Sequence, residues 1–550
     1  MPEFVFSGSS GACLTVRPAE MLNDGGGAKS RGCDGPEGSV YTANYRKART
    51  TMNYIFAGEG DERYHPGFTF FGYRYLSITA TDEVTIKSVR SLPVTSIAAG
   101  SEAGSLVTGV ADVNRLVSNS LWGQYSNYLS IPTDCPQRNE RLGWTADTQV
   151  FSQTATYNAE VYGFFLKWMR DMRDSQAEDG SYPGVAPVAQ YGGHIHQLGW
   201  SDAGVIVPYT MWLQYGDTRI VDENWESMVR YMDLVERTKY ASRQATEHQW
   251  ADWLSYEKLE SWSRAAYTVF PDGTKTPRPE AVEYWQYLGC AYWLMDARMM
   301  ARMAAATGRA DDAAAYREMA ARALAYLRGR FVDEGDGMLL PLFRDMQTPA
   351  LFALKLGIVE GEGAVRTRDA LLKNIADHGD CLQTGFLGTS ILMDTLAHEA
   401  NAPEVAYTLL LQHKNPSWLY SVDQGATTIW ERWNSYTRKD GFGAAQMNSF
   451  NHYAYGAVLG WMYGTMAGVR PGEEGGFKHF VLAPVPDRRM GRVEASFRSP
   501  YGWIKSAWSY EGNKWRWSFT VPANTTAEVT VPGEAPREYA AGEYTVVRDA

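Results

Sequence analysis

Cysteine is scarce: five residues in a chain of 550, Cys13, Cys33, Cys135, Cys290 and Cys381, odd in number and scattered. None is in CxxC spacing, so neither a disulfide framework nor a zinc site is implied, and a reducing compartment fits best. Long apolar runs are also missing; nothing approaches the roughly 20 residues of a membrane-spanning helix. The opening MPEFVFSGSSG has no charged segment leading into an apolar one, as a secretory signal would. These absences lead to the expectation of a cytoplasmic protein, although the abrupt start also fits a longer chain trimmed at its front. Lys/Arg blocks are absent too. With a net charge of −11 and an isoelectric point near 5.5, nucleic acid and anionic membranes are disfavoured as partners.

What the chain has is core material and aromatic rings. Hydrophobic residues make up 45%, enough for a large interior, and length alone suggests roughly three or four domains unless one barrel takes most of it. Tryptophan (19) and tyrosine (33) are abundant. Many are core, but carbohydrate sites also need flat apolar faces with polar edges.

Residues 1–103 read as a β-sandwich domain. Aromatic and β-branched runs at 68–80 and 84–92 have strand length, and the Gly-rich stretch 23–38 reads as a surface loop. Helical periodicity begins near residue 105. Helices are expected at 106–121, 148–174, 203–215, 221–238, 281–307, 311–330, 349–356, 363–377, 387–399, 403–412 and 450–466. About a dozen helices without intervening strands suggest a toroid of six inner and six outer helices; a solenoid is the alternative, but no fixed-period repeat is visible. From residue 469 to the end, alternation with turn signals indicates a small antiparallel β-sandwich.

The chemistry concentrates in residues 131–150, IPTDCPQRNERLGWTADTQV. Asp134, Glu140 and Asp147 stand among Arg138 and Arg141, with Trp144 between the last two acids. Pro132 and Pro136 disfavour helix in its first half, so a loop feeding a helix is expected. Such a cluster either pins a loop by ion pairs or serves acid–base chemistry. Cys135 lacks a local partner base for nucleophilic work. A second acid, Glu431 in GATTIWERWNS, lies between Trp430 and Trp433, which predicts a desolvated carboxyl with a raised pKa; a surface Glu–Arg pair is the competing reading. His452 in SFNHYAYG is either a sugar ligand or a structural residue. Trp200 with Asp202, and Asp252 with Trp253, each pair an acid with an indole, while His194 and His196 are thin support for a metal. Two carboxylates far apart in sequence fit glycoside hydrolysis, one as acid and one acting on water or on the sugar. Glu140 is the candidate acid. Arg138 and Arg141 favour its ionised form, so burial or the nearby Asp134 and Asp147 must offset them.

DCPQRNERLGWTAD resembles the signature of bacterial α-L-rhamnosidases of glycoside hydrolase family 78. GATTIWERWNS and MNSFNHYAYG resemble that family's later motifs in the right order, and RYHPGFTFFGYRYLSI resembles the end of its preceding β domain. The resemblance covers nearly the whole chain. It implies an (α/α)6-barrel catalytic domain at 104–468 between β-sandwiches at 1–103 and 469–550. It also implies an inverting enzyme that removes terminal α-L-rhamnose, with Glu140 as general acid and Glu431 as general base. Asp134, Arg138, Trp144, Asp147, Trp200, Trp253 and His452 fall where the family binds the rhamnosyl unit. No cofactor or metal is implied, and the partner is a carbohydrate.

Three departures stand out. Asn139 replaces a frequent Asp and removes a charge beside Glu140. Ala146 replaces a common Gly. Extra N-terminal β domains carried by many members are not seen, which leads to the expectation of a shorter reach toward polymers. The competing readings are a glycosidase with another sugar specificity, a sugar-binding relative without turnover, and a polysaccharide lyase. The sequence leaves open the aglycone, the linkage, and whether the chain forms a homo-oligomer.

Overall fold

Alternating apolar residues build the first sheets. Phe4 and Phe6 of β1 (Pro2–Gly8) and Leu14 and Val16 of β2 (Cys13–Ala19) point inward at spacing two. They meet Met52 and Phe56 in one buried cluster. The computed structural model describes residues 1–26, 31–189, 197–239, 250–261 and 263–549. Its contacts divide it into two units: Met1–Ala98, Ser118–Leu142 and Gln424–Tyr453 form the first, and the remaining chain forms the second.

In the first unit, β3 (Met52–Ile55), β4 (Glu62–Tyr64), β5 (Tyr75–Ala80) and β6 (Val84–Ser91) complete two antiparallel three-stranded sheets, ordered β4–β1–β6 and β3–β2–β5. The strand expected over 68–80 starts only at Tyr75. The aromatic residues before it serve the neighbouring loop instead: the Arg141 guanidinium lies 4.3 Å from the Phe70 ring centre and donates to the Phe70 carbonyl at 3.0 Å. Of the Gly-rich stretch 23–38, residues 27–30 lie outside the described residues.

The second unit is mostly helical. After α1 (Ala111–Asn127), which runs across the unit boundary, come α2 (Thr145–Asn158), α3 (Tyr162–Asp174), α4 (Ala203–Tyr215), α5 (Arg219–Thr238), α6 (Pro279–Ala306), α7 (Ala310–Phe331), α8 (Gln347–Lys355), α9 (Gly361–Asp377), α10 (Phe386–Ala397) and α11 (Pro403–Leu410). Burial alternates along this series. α2, α4, α8 and α10 are buried nearly all round, and α6 through most of its length, whereas α3, α5, α7 and α9 bury one stripe. The buried helices pack in succession, α2 on α4, α4 on α6, α6 on α8, α8 on α10. The helical segment from Ala454 to Met466 packs on both α10 and α2 and closes the ring.

Three helix expectations changed. Leu106–Thr108, expected to start a helix, instead end a strand (β7, Gly104–Thr108) that pairs with the C-terminal sheet. Asn114 ends it by accepting the Thr108 N–H at 2.7 Å, and the helix then starts at Ala111. The stretch 148–174 breaks between α2 and α3, where the Asn158 carbonyl accepts from Ala103. The helix expected at 450–466 begins only at Ala454, because Ser449 and His452 pair with Glu431 and Ile429 through the backbone.

The C-terminal strands are β8 (Val469–Pro471), β9 (His479–Leu482), β10 (Arg492–Ser499), β11 (Gly502–Glu511), β12 (Lys514–Val521), β13 (Thr526–Val529), β14 (Arg537–Tyr539) and β15 (Gly542–Asp549). They form sheets β15–β12–β11–β10–β7 and β8–β9–β13–β14. The pairing is antiparallel except for β9 with β13. Among the described residues no helix is long and apolar enough to cross a membrane.

Candidate active site

The loop that follows α1 is closed by its own acid. Asp134 donates its N–H to the Leu142 carbonyl at 2.9 Å, and its carboxylate Oδ1 accepts the Leu142 N–H at 2.9 Å. This clasp leaves residues 135–141 as a tight excursion with Arg138 at its centre, 1% exposed. Arg138 Nη1 and Nη2 donate to the two oxygens of Glu431 at 2.9 and 3.2 Å, a fork-on-fork pair. The same guanidinium reaches Glu140: Nε is 2.9 Å and Nη2 2.7 Å from Glu140 Oε2. Asp134 Oδ2 lies 3.7 Å from Arg138 Nη2 and 3.7 Å from His452 Nε2. Asp134, Arg138, Glu140, Glu431 and His452 are thus brought together within the first unit.

Glu431 is held from behind. Its N–H donates to the Ser449 carbonyl at 2.9 Å and its Oε2 accepts the Ser449 N–H at 2.8 Å. The raised carboxyl expected between two tryptophans is overturned. Burial does push Glu431 up, but Arg138, with help from His452 and Arg432, outweighs it and holds the carboxyl at about 2. Burial pushes His452 down to about 4, against the pull of Glu431, so its imidazole is neutral near pH 7. Burial also pushes the Cys135 thiol far above its ordinary range, which removes it as a nucleophile. Arg141, expected beside Glu140, turns instead to Phe70.

Two contributors had no sequence signal. Arg46, on the turn after Ala43–Tyr45, pairs with Glu140 Oε2. Glu20 is fully buried, accepts from Asn44 at 2.8 Å and from the Phe450 N–H at 3.2 Å, and burial raises it to about 8. Their neighbours in sequence are ordinary, and only the fold brings them to the cluster.

Tryptophans gather in the second unit. Trp144 caps the start of α2, with Asp147 buried in its first turn. Trp250, which nothing local in the sequence distinguishes, stands 5.0 Å from Trp144 and 4.9 Å from Trp200 between ring centres. Gln149 secures this arrangement by donating to the Gly199 carbonyl at 3.1 Å. The acids paired with indoles prove to be supports. Asp252 accepts from the N–H groups of Gly385, Leu387 and Gly388 at 2.8–2.9 Å and from the Thr348 hydroxyl at 2.5 Å, and so caps α10. Asp202 accepts from the Gly199 N–H at 2.5 Å and the Tyr231 hydroxyl at 2.7 Å. Trp253 sits between Ala251 and Leu254, both at positive φ (49° and 64°), a strained backbone that the Asp252 network holds in place. His194 and His196 lie outside the described residues.

Metal binding has little support in the acid cluster. Asp134, Cys135 and Glu140 bring ligand-type atoms within 4.8 Å of one another. However, the Arg138 guanidinium sits against both carboxylates, and burial keeps the thiol protonated.

The helical ring of the second unit defines a class, the six-hairpin glycosidases. Residues 101–466 match the family model described as the bacterial alpha-L-rhamnosidase 6 hairpin glycosidase domain. Residues 1–95 match the same group's concanavalin-like domain and residues 468–545 its C-terminal domain. The chain belongs to the bacterial alpha-L-rhamnosidase family. It is 34% identical over 528 residues to an alpha-L-rhamnosidase of Formosa agariphila, covering 95% of this chain and 53% of that one. A second relative, an alpha-L-rhamnosidase of Streptomyces avermitilis, is 35% identical over 538 residues, 96% of this chain and 47% of that one. The solved structure of Streptomyces avermitilis alpha-L-rhamnosidase complexed with L-rhamnose superposes with a TM-score of 0.84 at 33% identity, covering all of this chain and 51% of that one. The chain therefore spans about half the length of these relatives.

Proposed function

We propose that the protein is an α-L-rhamnosidase that removes terminal α-L-rhamnose by single-displacement inversion, with Glu140 as general acid and Glu431 as general base. The observation that carries this reading is the buried Arg138, which binds both glutamates at once. Glu431, held at about 2, is a carboxylate at any working pH, as a base must be. Glu140 protonates the glycosidic oxygen as the bond to the anomeric carbon breaks. Water adds to that carbon from the other face, and its proton goes to Glu431. Asp134, Arg138, Asp147 and His452 suit the ring hydroxyls, while Trp144, Trp200 and Trp253 offer apolar faces to the methyl group of a 6-deoxy sugar.

One guanidinium links the two carboxylates: Arg138 Nη2 lies 2.7 Å from one Glu140 oxygen and 3.2 Å from one Glu431 oxygen. Inversion calls for roughly 6.5–9.5 Å between the two carboxyl groups as wholes, room for the attacking water. Two arginines hold Glu140 Oε2, and the second reading, a sugar-binding relative without turnover, takes that pairing as structural.

We further propose division of the chain near residues 103 and 468, and a cytoplasmic setting, which five free thiols support. The deciding experiment is hydrolysis of 4-nitrophenyl α-L-rhamnopyranoside by the wild type, E140Q and E431Q, with the product anomer followed by NMR. Wild-type release of β-rhamnose first, lost in both variants, is the expected outcome. Release of the α anomer would overturn inversion, and binding of L-rhamnose without turnover would select the second reading.

A further inference from the structure

Arg138 is committed to two glutamates, and its fork is filled by Glu431. Glu140 shares that guanidinium with Glu431, and Arg46 gives it a second anchor of its own. The Arg46 side chain is 12% exposed, and its guanidinium bonds Glu140 Oε2 while Nη1 donates to the Gln446 carbonyl at 3.3 Å. The turn that carries it is braced on both sides. Asn44 donates to the buried Glu20 at 2.8 Å, and the Tyr45 hydroxyl donates to the Gly72 carbonyl at 2.9 Å. Gly72 in turn lies so close to the acid loop that a Cβ there would stand 2.6 Å from Pro136 Cγ. Arg46 itself has φ 55° and ψ −113°, which a residue with a Cβ adopts only where its surroundings impose it.

Both guanidiniums approach the same carboxylate oxygen. Arg46 and Arg138 each donate to Oε2, and an oxygen surrounded by cationic N–H donors has no room for a proton. A proton on this carboxyl therefore belongs on Oε1. We propose that Arg46 is a positioning residue for Glu140: it anchors Oε2, and so makes Oε1 the atom that gives its proton to the leaving oxygen. The inference rests on Glu140 being the general acid. It also means that residues preceding the helical domain complete the acid's setting, because Arg46 lies within the stretch matched by the concanavalin-like domain.

The test exploits leaving-group demand. From a 2,4-dinitrophenyl rhamnoside the dinitrophenolate leaves without a proton, whereas methanol leaves methyl α-L-rhamnoside only when its oxygen is protonated. With R46M, kcat/KM for the methyl glycoside is expected to fall about 100-fold, within the range of general-acid contributions, while the dinitrophenyl glycoside changes little. R46K, which keeps the charge but loses the fork, should give a ratio between those of wild type and R46M. E140Q is measured beside them. If E140Q loses both substrates equally, the acid assignment fails and this inference with it. If E140Q discriminates between the substrates and R46M does not, the role of Arg46 alone is overturned. Should R46M fail to fold by circular dichroism, a wild-type ratio in R46K would likewise overturn it.

Discussion

The acid cluster of the first unit and the tryptophan cluster of the second are secured by opposite means. Around Arg138 the chemistry-bearing groups hold one another: each carboxylate in the cluster has a cation or a neutral imidazole as its neighbour. Around Trp250 the rings touch at 5.0 and 4.9 Å, and the polar work is done beneath them by Asp202 and Asp252 on backbone N–H groups. The difference teaches how to read an acid beside an indole. Glu431 in WERW meets a guanidinium and joins the cluster, whereas Asp252 in ADWLS meets a helix N-terminus and becomes a support. Their sequence settings look alike. What separates them is the partner that the fold delivers.

That contrast can be broken by experiment. The largest effect is expected for E431Q, which keeps the size of the side chain but ends its service as a base and leaves Arg138 with Glu140 and Asp134 as its charged partners. kcat should fall about 10³–10⁴-fold with KM little changed; a loss below tenfold would move the base elsewhere. Next comes E20Q. A carboxyl raised by burial to about 8 stabilises the fold fully below its ordinary range, and that contribution is lost as pH rises through 8. Unfolding free energy from urea melts should therefore drop by about 3 kcal/mol more in the wild type than in E20Q between pH 5 and pH 8. Parallel pH profiles would mean that Glu20 is ionised in the folded chain.

For the tryptophan cluster, D252A should lower stability by about 3 kcal/mol, because several buried donors lose one acceptor together. KM for the rhamnoside should rise in the folded fraction as the backbone that carries Trp253 loses its brace, and a melting temperature unchanged by the substitution would contradict the support role. The smallest effect is expected for W250A. Removing a ring that steadies Trp144 and Trp200 should raise KM for the rhamnoside about tenfold and leave kcat within a factor of about three. A kcat loss on the scale of E431Q would show that the tryptophans do more than provide apolar faces.

Much of the fold was legible. Periodicity and apolar content marked α4 to α11 to within about two residues at most ends, because the one-sided helices bury a regular stripe and the fully buried ones are apolar nearly all round. The places where it failed share one cause. Gly104–Thr108, Ser449–Tyr453 and Phe68–Arg74 have local patterns compatible with several conformations, and each was decided by a partner distant in sequence: β10, the segment Ile429–Glu431, and the loop around Arg141. The motif acids and His452 were visible because residue type and order survive in a sequence. Arg46, Glu20 and Trp250 were invisible because nothing local distinguishes them.

The sequence by itself determined the helical middle, the β-rich ends, the family, and which acids deserved attention. Composition, period and motif are properties of neighbouring residues, and they can be read along the chain. Only the tertiary structure decided that Glu431 is held at about 2 and not raised, that Arg141 turns away while Arg46 arrives, and that Asp252 supports. Those outcomes depend on which charge stands within a few ångströms in a medium of low polarity, where Coulomb terms and desolvation are both large and of opposite sign. Their balance is set by distance in space, which the order of residues does not contain.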